Sequence, residues 1–140
     1  MNRHWLALLT LTFFLGACDQ STVSNADAAP PTTNLRNVSV EEVALLIAQN
    51  PSVVVLDVRT PGEFAQGHIQ GAQNLDFHSA DFDERLAALD PDTSYVLTCQ
   101  SGVRSRRTLK KMKQRGFSDV AHLKSGMAGW RKADRPEVTE

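Results

Sequence analysis

The chain has 140 residues, 41% hydrophobic and 22% charged. These proportions fit one globular domain with room for a leader, and exclude a chain disordered throughout or a collagen-like fibre. With 15 basic against 16 acidic residues the net charge is −1, which gives nucleic-acid binding no support, and the 2 cysteines do not make a disulfide framework.

At the N-terminus, Arg3 and His4 are followed by an uncharged run from Trp5 to Ala17. The run is shorter than the roughly 20 residues a bilayer-spanning helix needs and fits the apolar core of a secretory signal. Its end, Leu15-Gly16-Ala17-Cys18, resembles the lipobox of bacterial lipoproteins, whose cysteine is acylated and becomes the new N-terminus. That resemblance implies a signal peptide over residues 1–17 and lipidation at Cys18. It also implies a periplasm-facing position on the bacterial cell envelope, with Asp19 favouring the inner membrane over the outer. Several acyl chains hold a protein to a membrane far more firmly than one. Gln20 to Thr33 is small, polar and Pro-containing, so residues 18–33 read as a flexible tether to a domain over 34–140.

From Ser39 onward the pattern alternates helix and strand. Ser39 with Glu42 makes a capping-box pattern. Val40, Val43, Ala44, Ile47 and Ala48 then repeat at helical spacing until Asn50-Pro51 stops the helix. Val53 to Val58 is an apolar, β-branched run broken by Asp57, as in a strand buried on both faces of a parallel sheet. Thr60-Pro61 opens a short helical turn through Phe64, and Gln73 to Phe77 reads as a short strand. Phe82, Leu86 and Leu89 have helical spacing, ended by Asp90-Pro91. Ser94 to Thr98 is a second buried strand leading straight into Cys99. Val103 to Arg115 is a helix closed by Gly116, Val120 to Leu123 a strand, and Gly126 to Lys132 a further helical turn. Such alternation predicts an α/β fold with a mainly parallel sheet flanked by helices on both faces. Ligands in such folds gather beyond the carboxyl ends of the strands, where Asp57, Arg59 and Cys99 stand.

The loop Cys99-Gln100-Ser101-Gly102-Val103-Arg104-Ser105 joins a strand to a helix. Backbone N–H groups and the positive end of the helix dipole there favour thiolate over thiol. Gly102 permits a tight turn, and Arg104 offers a forked donor to an anion. The helix beyond is basic, with no acid between Cys99 and Ser118. Its later cations read as a solvated face that complements the dipole.

The loop CQSGVRS resembles the active-site loop of rhodanese-type sulfurtransferases, whose single-domain members commonly carry Cys-Arg-Ser-Gly-x-Arg-Ser. Asp57 to Leu75 is similar to that family's first signature and Leu123 to Trp130 to its C-terminal one. The resemblance implies a rhodanese-like domain in which Cys99 takes a sulfane sulfur from a small sulfur-containing anion such as thiosulfate. It would hold the sulfur as a persulfide among the loop residues Gln100 to Ser105 and pass it to cyanide or a thiol, with no metal or organic cofactor and ping-pong kinetics. Asp57 is expected to brace the loop, and Arg59 to touch substrate or pair with Glu63. His68 is expected to be a structural hydrogen bonder, and Trp130 to pack against the core near the site. His68, His78 and His122 lack metal-ligand spacing.

Two other readings compete. Phosphatases and arsenate reductases of similar fold place one more residue between Cys and Arg than Gln100, Ser101, Gly102 and Val103 provide here, so their loop is wider. A non-catalytic sulfur-carrying or binding module would not need the reactive thiol at Cys99. One departure from the family pattern bears on substrate: Gln100 stands where Arg is usual, removing a positive charge from the mouth. On that reading Gln100→Arg lowers the KM for thiosulfate in a steady-state assay, and an unchanged or higher KM counts against it.

Overall fold

Five parallel strands form one sheet in the order β1-β5-β4-β2-β3. The computed structural model describes residues 33–139; the expected signal peptide, Cys18 and nearly all of the expected tether lie outside the described residues. In chain order the elements are β1 (Asn34–Val38), α1 (Val40–Gln49), β2 (Val54–Asp57), α2 (Pro61–Ala65) and β3 (Gln73–Asn74). They continue with α3 (Phe82–Ala87), β4 (Ser94–Thr98), α4 (Val103–Gln114), β5 (Asp119–Leu123) and α5 (Gly126–Lys132). No helix among the described residues is long and apolar enough to cross a membrane.

Side chains alternate across the sheet, so each strand feeds two cores. On one face Leu56, Val58, Tyr95, Leu97 and Val120 pack with Phe82 and Leu86 of α3 and Met112 of α4. On the other, Val55, Val96, Ala121 and Leu123 pack with Val40 and Val43 of α1 and Met127 and Trp130 of α5. Burial on both faces explains why β2 and β4 read as continuous apolar runs. The helix starts follow their caps: Ser39 accepts from the Glu42 N–H while Glu42 accepts from the Ser39 N–H, and Thr60 and Glu63 form the same reciprocal pair.

The alternating elements and the parallel sheet match the sequence expectation, with two differences. Asn34–Val38 is a strand, although its polar residues carry no periodic signal. It is extended because it pairs in register with β5, Asn34 opposite Asp119 through Val38 opposite Leu123, and the Arg36–Asp119 ion pair at 3.0 Å fastens this edge. The strand expected over Gln73 to Phe77 is shorter, since β3 pairs with β2 only at Gln73 and Asn74. Beyond α5 the tail turns back, and Val138 bridges antiparallel to His68.

At the carboxyl end of β2 lies a buried ion pair. Asp57 and Arg59 are 0% and 1% exposed. Arg59 Nε donates to both Asp57 oxygens at 3.0 and 2.9 Å, and Nη2 to Oδ2 at 2.6 Å. The remaining donors reach the carbonyls of Glu63 at 3.1 Å and Gly67 at 2.8 Å, so the pair fixes α2 and the turn after it to the sheet. Removing one partner leaves the other charge buried and alone, which costs about 3–5 kcal/mol. Asp57→Ala is therefore expected to lose about that much stability in a urea melt, and a loss under ~1 kcal/mol contradicts this account.

Candidate active site

The site lies where β4 ends and α4 begins. Cys99 is 1% exposed, and Gly102 Nα donates to its Sγ at 3.1 Å. Gly102 is required there twice over: its φ is +85°, and a Cβ would sit 2.0 Å from the Lys124 carbonyl oxygen. The loop is turned by α5, whose first N–H groups hold its carbonyls, Met127 N–H on Cys99 O at 2.8 Å and Ala128 N–H on Gln100 O at 3.0 Å. A peptide's C=O and its own N–H point opposite ways across one plane. Pinning the Gln100 oxygen toward α5 therefore turns the Ser101 N–H toward the sulfur, while the Gly102 N–H, in the next peptide, is placed by the turn at Gly102. Gly126, at φ +61°, admits this approach; a Cβ there would stand 2.5 Å from Cys99 O.

Burial by itself pushes the Cys99 thiol pKa up. Hydrogen bonds from the Ser105 hydroxyl and from the backbone N–H groups of Ser105, Ser101 and Gly102 outweigh it, and the net direction is below the ordinary value. Ser105 is 0% exposed, with Oγ 3.3 Å from Cys99 Sγ. The electrostatic field of α4 acts in the same sense. Ser101 and Val103 are exposed at the rim.

Three expectations need correction. Asp57 does not brace the cysteine loop, because Arg59 takes its carboxylate. Arg59 does not pair with the Glu63 carboxylate: its guanidinium donates to Asp57 and to the carbonyls of Glu63 and Gly67, and the side chain is buried. Arg104 is not a free anion fork. Its Nη1 and Nη2 each donate to a Glu63 oxygen at 2.7 Å, since the capping box at Thr60 aims Glu63 at the first turn of α4. That guanidinium, despite partial burial, holds the Glu63 pKa down to about 2.

Other residues group around the site that the sequence reading did not assign to it. Arg131 of α5 donates to Gln100 Oε1 at 3.3 Å and to Glu137 at 2.9 Å, so the mouth is not left without a cation. The lowering of KM expected from Gln100→Arg is correspondingly smaller, because the new charge would face Arg131. A cavity of about 380 Å³ adjoins this corner, lined by Arg59, Glu63, Gln66, Gln100 and Arg131. His122 reaches Ser105 from the sheet, with Asn37 on the other side of its ring; period-two alternation along β5 puts His122 on the Val120 face, the face of Cys99, and so could have flagged it. His68 is the expected structural group, its Nδ1 2.9 Å from Phe64 O and its ring stacked on Phe64. Trp130 belongs to the far core and donates to Pro136 O at 2.9 Å. No cluster of His, Cys, Asp and Glu among the described residues has a metal-binding arrangement.

The rate of Cys99 alkylation by iodoacetamide is expected to rise with pH through a midpoint below the ~8.5 of a free thiol. A midpoint at or above that value contradicts the hydrogen-bond cradle.

Comparison with known proteins agrees with this geometry. A protein-family model described as "Rhodanese-like domain" matches residues 39–133. The chain is 35% identical over 100 residues to the thiosulfate sulfurtransferase GlpE of Stutzerimonas stutzeri, covering 71% of this chain and 87% of the relative. It is 34% identical over 113 residues, 81% of its length, to the probable adenylyltransferase/sulfurtransferase MoeZ of Mycobacterium tuberculosis. The chain spans 29% of that protein's length. Among solved structures, a rhodanese-related protein from Thermoplasma volcanium matches with a TM-score of 0.67 at 26% identity, over 75% of this chain and 99% of its own. With its three sequence motifs starting at the carboxyl ends of β2, β4 and β5, the chain belongs to the rhodanese-like domain family.

Proposed function

We propose that this domain is a sulfurtransferase that carries a sulfane sulfur as a persulfide on Cys99. The observation that carries the reading is the Cys99 sulfur at a strand end, held by Gly102 Nα at 3.1 Å with Ser105 Oγ at 3.3 Å. Such a cradle stabilises a negative charge on sulfur without a metal.

With thiosulfate as donor, the Cys99 thiolate attacks the outer sulfur. A Cys99 S–S bond forms as the sulfur–sulfur bond of the donor breaks, and sulfite leaves with the electron pair. The charge balances, since a thiolate and a dianion become a persulfide anion and a dianion. Cyanide or an acceptor thiolate then attacks the outer sulfur, and the Cys99 thiolate leaves. This two-step covalent transfer is expected to give ping-pong kinetics. Arg131 and Gln100 stand at the corner where an anionic donor would enter, while Glu63 neutralises Arg104. The Leu15–Cys18 segment supports a wider reading in which acylated Cys18 tethers the domain to the periplasmic face of a bacterial membrane, more readily the inner one.

Intact mass of the full chain before and after thiosulfate, beside a Cys99→Ser control, tests the chemistry. A gain of one sulfur atom, removed by cyanide and absent from the control, is expected. No gain with Cys99 still alkylatable overturns thiosulfate as donor, and no gain with any sulfane donor overturns the sulfurtransferase reading.

A further inference from the structure

His122 is 1% exposed, and its ring lies between two polar partners. Nε2 is 2.8 Å from Ser105 Oγ, and Nδ1 is 2.8 Å from Asn37 Oδ1. Ser105 Oγ in turn lies 3.3 Å from Cys99 Sγ. Four side chains from β1, β5, α4 and the loop thus form one hydrogen-bonded row ending at the sulfur.

Counting protons gives the row a direction. An amide oxygen accepts and does not donate, so Asn37 Oδ1 calls for a proton on Nδ1. The neutral ring then has a bare Nε2, which accepts the Ser105 hydroxyl proton. Serine has one such proton, so with it committed to His122, Ser105 Oγ can only accept from the Cys99 thiol. Moving both protons one step reverses the row. The S–H proton passes to Ser105 Oγ, the former hydroxyl proton passes to His122 Nε2, and Ser105 now donates to a thiolate. No atom is gained or lost, and the products are a thiolate and an imidazolium bridged by a serine.

We propose that His122 is a positioning residue of the Cys99 site, accepting the thiol proton through Ser105 while Asn37 fixes its tautomer. The charged groups around it set the balance. Burial and the nearby Arg106 of α4 hold His122 below its usual basicity, against a smaller opposite effect of the Gly102 backbone. From α4, Arg104 feels the charge of Cys99 but is paired with Glu63, and β1 contributes the neutral Asn37. The ring is therefore neutral while the thiol is intact. It gains its proton as the thiolate forms, each charge supporting the other. In sulfur transfer the imidazolium would stay as counter-charge while the negative charge moves from thiolate to persulfide. That last use rests on the sulfurtransferase reading; the relay itself does not.

The test is the pH dependence of Cys99 alkylation by iodoacetamide in the full chain, wild type against His122→Asn and Ser105→Ala. At about pH 6 both variants are expected to react about tenfold more slowly, one unit in apparent thiol pKa. At about pH 10, where the thiol is ionised in every form, the rates are expected to converge. Superimposable profiles overturn the relay, and so does an equal loss at both pH values, which would mark a purely structural role. If the variants fail to fold, the wild-type chain decides through the ¹⁵N shifts of the His122 ring. Over the pH range where thiolate absorbance is present, they are expected to show more imidazolium character than at the same pH once Cys99 is alkylated. Shifts indifferent to the state of Cys99 overturn the proposal. Because alkylation needs no sulfur donor, loss of the relay and loss of persulfide formation are separate results.

Discussion

The site depends on the close seating of the cysteine loop on α5. The carbonyls of Cys99 and Gln100 are held by the first N–H groups of α5, which anchors the start of the loop whose Ser101 and Gly102 N–H groups serve the sulfur. The grip needs two chain segments at van der Waals distance, which is why Gly126 lies against the loop and Gly102 against the Lys124 carbonyl. Side chains at either position would push the two segments apart. The sulfur cradle is therefore built by packing β4, its loop and α5 together, and the helix dipole of α4 adds to it.

The same region shows a consistent treatment of charge. Arg59 is matched by Asp57, Arg104 by Glu63, and Arg131 by Glu137. Ion pairs of this kind place rigid side chains while leaving little net charge around the thiol. The buried sulfur is consequently stabilised mainly by neutral donors, backbone N–H groups and the Ser105 hydroxyl. Their hydrogen bonds are strong in a low-dielectric pocket. The anionic donor of the proposed reaction would meet dipoles at the sulfur and the Arg131 guanidinium, shared with Glu137, at the rim.

Much of this was legible along the chain. The helix starts at Ser39 and Thr60 followed from capping boxes, and β2 and β4 from continuous apolar runs, because those signals are local. The cysteine loop followed from a thiol between a strand and a helix that begins beside Gly102. The strand Asn34–Val38 was not legible, since its extended form comes from pairing with β5, far away in sequence. The partners of Arg104 and Arg59 were misjudged for a related reason. Spacing along a chain shows that a cation is near a site, but which carboxylate reaches Arg104 depends on how α2 lies against α4, and that Arg59 turns back onto Asp57 depends on the burial of both.

The sequence by itself determined the family, the alternation of elements, and the cysteine on which the proposed chemistry rests. Those are properties of contiguous residues, set by periodicity, turn chemistry and motif. Tertiary structure alone decided which charges are spent and which side chains meet. It buried Asp57 with Arg59, turned Arg104 to Glu63, brought Arg131 to Gln100, and placed His122 and Asn37 behind Ser105. Apart from Asp57 and Arg59, which are two residues apart and meet through burial, these contacts join segments distant along the chain, and hydrogen-bond partners at that range are chosen by packing geometry rather than by local preference.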